Sequence, residues 1–412
     1  MGADVDVAIV GAGAAGIAAA RRLAASRLSS MVIEATARAG GRAWTCDLAG
    51  LPLDLGCGWL HSADRNPWTR IAEAAGFTVD RRAPAWGKQY HDLGFSRAKQ
   101  AAARRARAVW ADRLATAPPA SDRAADALEP DGEWNAYLQA MSGFISGAGL
   151  EHVSAADYRA YDTASTGCNW RAPAGYGRVI TASLPRHVDL RLSTPVNSIE
   201  LTRQGVELAT PVAGIRARAA ILTVSTAVLA QGVIKLPPDL NAWPQAAARL
   251  PLGRNEKLFL EIVGESPFVP ETRVIGDPRD RRTGAYYIRP FGWPVIECFM
   301  GGDSARMVEE KGPAAGFAHA IDQLAALFGS SVRRNLHPLV ASSWSRMTHV
   351  GGAYSYALPG HAAARNDLAL PFDQRLFFAG EATHTYDFST AHGAYESGLR
   401  AANEAIAALA RR

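Results

Sequence analysis

Apolar residues come in short runs broken by glycine, and the first run sets the pattern. Residues 5–10, VDVAIV, lead into Gly11, Gly13 and Gly16, then an alanine-rich stretch, then a second apolar run at 31–33 that ends on Glu34. That order predicts strand, glycine turn, helix, strand. From residue 66 to about 166 the pattern turns helical, with 68–75, 96–115 and 133–145 read as helices and Pro118, Pro119, Pro130 and Gly132 as punctuation. A glycine turn and a helix near Gly177 follow, and short strands are predicted at 188–192, 196–201 and 206–208, with a buried one at 219–224. Pro237 and Pro238 mark a second change, beyond which 255–263, 286–288 and 295–299 read as strands and 314–328 as a helix. A short buried strand at 376–379 and a long helix at 391–409 close the chain.

The glycine spacing makes a chemical demand. Gly11 allows a tight turn, Gly13 lets backbone approach a pyrophosphate, and Gly16 lets the helix pack close to its strand. The helix opening at Ala14 and Ala15 then offers unpaired N–H groups to the phosphates. Glu34 falls where an acidic side chain accepts the hydrogen bonds of an adenosine ribose. Directly after Glu34 and Ala35, the AGGR turn supplies Gly41 and Arg42, a second backbone approach with a guanidinium to reach a phosphate, which favours FAD over NAD. The reading is an α/β fold: a Rossmann-like FAD-binding domain from discontinuous segments (1–64, 167–236 and 345–412) with an α+β substrate domain of mixed sheet plus helices (65–166 and 237–344).

Composition narrows the class. At 412 residues two domains are expected, and 48% hydrophobic with 20% charged residues is a globular balance. No run approaches the roughly twenty apolar residues of a membrane helix. The glycine turn starts so near Met1 that a cleavable signal has no room, so no membrane partner and a cytoplasmic location are expected. The 4 cysteines, Cys46, Cys57, Cys168 and Cys298, lack metal-ligand spacing, and no metal is expected. The net charge of +5 rests on arginine; Arg104, Arg105 and Arg107 lie in an alanine-rich helix without interleaved aromatics, read as a solvated face rather than a nucleic-acid site.

Taken together, GAGAAG, Glu34, the AGGR turn, the LGCGWLH segment with Gly56, Trp59 and His61, and the closing FAGEATH and STAHGAYESGLRAA resemble the flavin-dependent amine oxidases. That superfamily includes monoamine, polyamine and L-amino-acid oxidases and the lysine-specific histone demethylases. The likeness covers the FAD-binding segments well and the middle poorly. It implies that Gly380 and Glu381 contact the cofactor, that the helix from Thr390 and Ala391 points its N-terminus at the flavin's pyrimidine end, that Val196 lies beside the adenine, and that Trp344 packs near the flavin. It implies further that Lys257 holds a water against flavin N5 and that His61 stands near the substrate. Ala353 stands where monoamine oxidases carry a tethering cysteine, so FAD is expected to be non-covalent. Tyr354 matches one wall of the family's aromatic cage, and Thr390 replaces the other. Trp59 occupies the place of a carboxylate-binding arginine of L-amino-acid oxidases, which favours an amine without an α-carboxylate. Ser225 stands where a proline is usual.

The reaction implied is loss of the α-hydrogen of a neutral small-molecule amine to flavin N5, hydrolysis of the imine, and reoxidation by O2 to peroxide. A homodimer is compatible with it. Independently of the resemblance, Lys257 sits inside an apolar strand pattern, where an ammonium is costly unless paired; an edge-strand lysine reaching solvent is the alternative. Competing readings are a carotenoid- or protoporphyrinogen-type flavin desaturase or oxidase, an L-amino-acid oxidase, and a flavin-bearing scaffold without turnover. Histone demethylation is disfavoured, as no chromatin-reading segment is evident.

Overall fold

The computed structural model describes residues 4–411. Its larger sheet runs, in spatial order, Asp189–Arg191, Ser30–Ile33, Val5–Val10, Gly214–Leu222, Val206–Ala209 and Ser198–Leu201, with Leu376–Phe378 also pairing with Gly214–Leu222. Val5–Val10 pairs in parallel with both its neighbours, and Leu376–Phe378 pairs in parallel too. The last two strands fold back antiparallel. Parallel strands are covered on both faces and therefore read as continuous apolar runs, and Val7, Ala8, Ile9, Ala219, Ala220 and Ile221 are all buried. The strand expected at 219–224 begins earlier, at Gly214, because its alternating first half pairs with Val206–Ala209.

On one face of this sheet the helix Ala14–Ala24 packs along the C-terminal helix Ala391–Ala410. A Cβ on Gly398 would lie 2.1 Å from the Ala15 carbonyl oxygen. The alanine-rich sequence of both helices is thus what lets them approach this closely. Gly16 makes the equivalent demand toward the sheet, since a Cβ there would meet the Gly11 carbonyl oxygen at 1.9 Å.

The second sheet is antiparallel, in the order Thr272–Ile275, Ala285–Ile288, Val295–Gly301, Asn255–Ile262, Leu336–Ala341. Leu258, Ile296, Cys298 and Tyr286 face a core shared with the helix Pro313–Phe328. Residues of the opposite face, including Lys257, Glu297, Phe299, Tyr287 and Arg273, look into a cavity between the two sheets. The Lys257 strand lies between two others, so the edge-strand alternative does not hold.

Pro67–Ala74, Arg97–Thr116 and Asn135–Ser146 form the expected helices. The helix Ala155–Ala164 and the strands Thr272–Ile275 and Leu336–Ala341 were not foreseen. Asp157 of that unforeseen helix forms a fully buried pair with Arg365 at 2.6 Å, and Arg365 also donates to the Ser355 hydroxyl at 2.9 Å. This pair locks the helical segment onto the C-terminal part of the site. Among the described residues no helix is long and apolar enough to cross a membrane.

Candidate active site

A cavity of about 560 Å³ runs between the sheets, and every residue singled out from the sequence as a site residue lines it except Gly16. Gly16 packs helix against strand and supports the turn from behind. Gly13 caps the helix Ala14–Ala24 without any side-chain hydrogen bond, so the first-turn amides have no side-chain acceptor and face the cavity with the positive end of the helix dipole. Gly41, at φ +56°, comes within 3.3 Å of the Gly13 Cα measured from an added Cβ, so two glycine turns close on each other here. A Cβ on Gly56 would collide with the Arg42 carbonyl oxygen at 1.9 Å. These glycines let the turns pack backbone against backbone at the cavity wall.

Glu34 is buried at the end of its strand and accepts from Ala12 N at 2.9 Å, Thr36 N at 2.9 Å and the Thr36 hydroxyl at 2.7 Å. A carboxylate has about four acceptor positions, so one remains for a ribose hydroxyl. Glu381 differs. It accepts from Arg42 Nη1 at 2.7 Å, Ser355 N at 3.2 Å, Ser355 Oγ at 2.6 Å and Ser389 N at 2.9 Å. With its acceptors taken, Glu381 lines the cavity but contributes by holding Arg42, whose Nη1 also donates to the Ala353 carbonyl at 2.7 Å. Burial pushes the Glu381 carboxyl up, but Arg42, Ser355 and Arg365 more than offset it, and the group stays ionised. Thr390 is not a cage wall: its hydroxyl caps the C-terminal helix by accepting from Gly393 N. Ser225 in the same way caps the helix Thr226–Ala230 and donates to the Val350 carbonyl at 2.7 Å.

Lys257 is 7% exposed, and its Nζ lies 2.8 Å from Glu297 Oε1 and 3.1 Å from the Asp54 carbonyl oxygen. Burial alone would lower its pKa, but the charges of Glu297 and Asp54 outweigh it and the ammonium persists. A Cβ on Gly58 would sit 3.0 Å from Nζ, so this glycine leaves the space the ammonium occupies. Asp54 is pushed by burial up to about 6, opposed by Lys257 and by hydrogen bonds from Thr45, Tyr176 and Gly177. Glu297 was not singled out from the sequence. It is the one charged residue in the otherwise apolar strand Val295–Gly301, and only the sheet register sets it beside Lys257.

The substrate side is walled by aromatics. Tyr354 lines the cavity and donates to the Phe144 carbonyl at 2.6 Å. Trp59 packs tilted against Trp86 at 4.4 Å and edge-on to Tyr287 at 5.8 Å, and Phe144 meets Phe299 at 5.8 Å. Trp86, Tyr287, Phe144 and Phe299 supply the enclosure that Tyr354 and Thr390 were expected to leave half open. His61 Nδ1 is 2.7 Å from Asn169 Oδ1, and because Asn169 Nδ2 donates to the Gly167 carbonyl, Oδ1 is the atom facing the ring. Nδ1 therefore carries the proton and Nε2 is left as an acceptor. Burial pulls His61 down to about 4, so the ring is neutral at neutral pH. A guanidinium does lie near Trp59: Arg171 sits 4.9 Å from its ring, but it pairs with Glu271 at 2.6 Å and lies outside the cavity lining. Arg107, read as part of a solvated face, is half exposed yet also lines the cavity.

The arrangement has a match over most of the chain. The description "Flavin containing amine oxidoreductase" fits residues 90–406, and "NAD(P)-binding Rossmann-like domain" fits residues 9–75. The chain belongs to the flavin-containing amine oxidoreductases. Among curated members of this family, it is 28% identical to polyamine oxidase 2 of Arabidopsis thaliana over 97% of this chain and 87% of that one. It is 27% identical to polyamine oxidase 4 of Oryza sativa over 97% of this chain and 88% of that one. Among solved structures, cyclohexylamine oxidase from Brevibacterium oxydans superposes with a TM-score of 0.74 at 22% identity, covering 99% of this chain and 100% of that one. The family's flavin requires a long site with a phosphate-binding turn at one end, and the glycine cradle, Glu34 and Arg42 fit that requirement.

Proposed function

We propose that this amine oxidoreductase is an FAD-dependent amine oxidase that holds its flavin without a covalent bond and uses O2 as acceptor. The observation that carries the reading is the buried Lys257 ammonium, pinned by Glu297 and the Asp54 carbonyl at the cavity wall, between the glycine cradle and the aromatic enclosure. Bound there, FAD would supply two-electron acceptance from the amine α-carbon and delivery of those electrons to O2 with formation of peroxide.

The chain's residues do the rest. First-turn amides at Ala14 and Ala15 and the Arg42 guanidinium hold the phosphates; Glu34 holds the ribose. Lys257 fixes a water at the reacting centre, and Trp59, Trp86 and Tyr287 exclude bulk water and orient the amine. The substrate must shed its ammonium proton before oxidation, and His61 Nε2, a neutral acceptor on the cavity wall, can take a hydrogen bond from it. Cys57 lines the same cavity, but burial and the Asp54 charge push its thiol up to about 12, so it is a poor nucleophile toward a flavin ring.

Acid precipitation of the yellow protein should release intact FAD into the supernatant. Anaerobic mixing with a panel of amines should bleach the flavin, and admission of air should restore it with stoichiometric peroxide. Flavin retained in the pellet defeats the non-covalent reading, and a flavin that no amine bleaches defeats the oxidase.

A further inference from the structure

The cavity's charges are distributed unevenly. Three carboxylates line it, and each is committed within the chain: Glu34 to Ala12 and Thr36, Glu381 to Arg42, Ser355 and Ser389, and Glu297 to Lys257. Among the described residues no free carboxylate on this wall waits for a second ammonium. The opposite holds for one cation. Arg273, on the outermost strand of the second sheet, lines the cavity and uses Nη1 to donate to the Trp86 carbonyl at 3.0 Å. Among the described residues neither its Nε nor its Nη2 has a hydrogen-bond partner, and no carboxylate pairs with it. Those two donors form one edge of the guanidinium, the edge that grips a carboxylate through two parallel N–H bonds. Burial lowers the Arg273 pKa without removing its charge. Arg107, the other guanidinium on this side, is partly neutralised by Asp162 at 3.3 Å.

The sheet register sets the distance. Lys257 pairs with Phe299, Phe299 with Ala285, and the residue two along from Ala285, Tyr287, pairs with Arg273. Lys257 and Arg273 thus share one face, three strand spacings and a two-residue offset apart, or roughly 16 Å between Cα atoms at about 4.8 Å per strand and about 3.4 Å per residue. Between them lie Phe299, Tyr287 and Trp86, an apolar floor and wall.

We propose that Arg273 is an anion-binding site and that the substrate is an extended amine whose far end carries a carboxylate, joined to the amine by an apolar spacer. The inference rests on the amine-oxidase reading and sharpens its substrate class. It also separates this chain from a polyamine-type specificity, in which a second ammonium would have to approach an uncompensated guanidinium. The carboxylate is remote from the reacting carbon, which agrees with Arg171 beside Trp59 being neutralised by Glu271.

The test uses matched chains: octylamine, 1,8-diaminooctane, and the ω-amino acids aminohexanoate, aminooctanoate and aminoundecanoate. Each is turned over in air by the FAD-loaded enzyme for kcat and KM, and flavin reduction is followed separately without O2. An ω-amino acid should give the highest kcat/KM, with one chain length preferred, and the diamine the lowest. Arg273→Met should raise KM for the best ω-amino acid about tenfold or more and leave octylamine unchanged, while Arg273→Lys should recover part of the loss. A diamine that outperforms the ω-amino acids, or a variant that changes both substrates alike, overturns the proposal. Octanoate, which cannot be oxidised, provides the independent readout through its perturbation of the flavin spectrum. Octanoate binding that disappears in Arg273→Met, with no amine bleaching the flavin, would uphold the anion site and defeat the oxidase reading. Binding indifferent to Arg273 would defeat the anion site alone.

Discussion

The two halves of the cavity handle charge in opposite ways. In the cofactor half, Glu34 and Glu381 are bound into networks of backbone amides, hydroxyls and Arg42, so the polar groups are placed before any ligand arrives. In the other half the walls are aromatic, the Lys257–Glu297 ion pair is buried at one end, and a guanidinium at the other end keeps two donors open. The difference separates a site built for one invariant ligand, where preorganisation limits the cost of binding, from one that recognises its ligand through a group left unpaired.

The largest expected effect tests the reacting end. Lys257→Met preserves volume but removes the ammonium, and flavin reduction by amine, reoxidation by O2, or both should slow at least about tenfold, in line with the ~2–4 kcal/mol that a polar group at a reacting centre typically supplies. FAD should stay bound, since the glycine cradle and Glu34 lie in the other half. Stopped-flow traces matching the wild type would remove Lys257 from the chemistry.

Next is a pH effect from outside the cavity floor. Glu256 is buried beside Lys257 in sequence but faces away from it, accepting from Trp344 N at 2.8 Å and from the Ser342 hydroxyl. Burial raises it from 4.5 to about 7. A carboxyl whose folded-state pKa is raised contributes stability that is fully present below its unfolded pKa and lost as pH climbs through the folded one. Thermal stability of the wild type should therefore fall between pH 5 and pH 8 relative to Glu256→Gln, by at most about 3 kcal/mol. Parallel melting curves across that range would show that the group does not titrate there.

Glu34→Ala probes the preorganised half and should weaken FAD by about 1–3 kcal/mol, measured by titrating apoprotein with FAD, while the KM for amine stays put. Equal FAD affinity would reduce Glu34 to a strand terminus with local hydrogen bonds. Smallest is Ser225→Ala, which removes a helix cap and the bond to the Val350 carbonyl; about 1 kcal/mol of unfolding free energy should go, with flavin binding and turnover intact. A loss of flavin in that variant would mean that the turn, and not the cap, is what Ser225 supports.

How much was legible follows the same division. The cradle could be read because its requirements are local: Gly11, Gly13 and Gly16 must be glycine within six residues of chain, and Glu34 must end the next strand. Lys257 was legible because a lysine inside an apolar strand stands out energetically. Glu297 carries the same signal, a lone charge in the apolar strand Val295–Gly301, but its pairing with Lys257 depends on the sheet register; Trp86, Tyr287 and Arg273 could not be found that way. Arg273 lies in a four-residue strand, Thr272–Ile275, too short to show a period, and the polar DPRDRR that follows reads as loop.

By itself, then, the sequence determined the Rossmann-like α/β architecture, the glycine turn, the buried lysine of the cavity wall and the family, because each depends on steric or electrostatic demands between neighbours along the chain. The tertiary structure alone decided that Glu381 holds Arg42, that Thr390 is a cap, that the aromatic enclosure comes from Trp86 and Tyr287, and that Arg273 is left with an open edge. Except for the Thr390 cap, which is a local bond to Gly393 N, each of those facts depends on side chains distant in sequence meeting across strands or between segments. Pairing of that kind is set by sheet register and by the packing of one domain's face on another's, which leave no periodic trace in the chain.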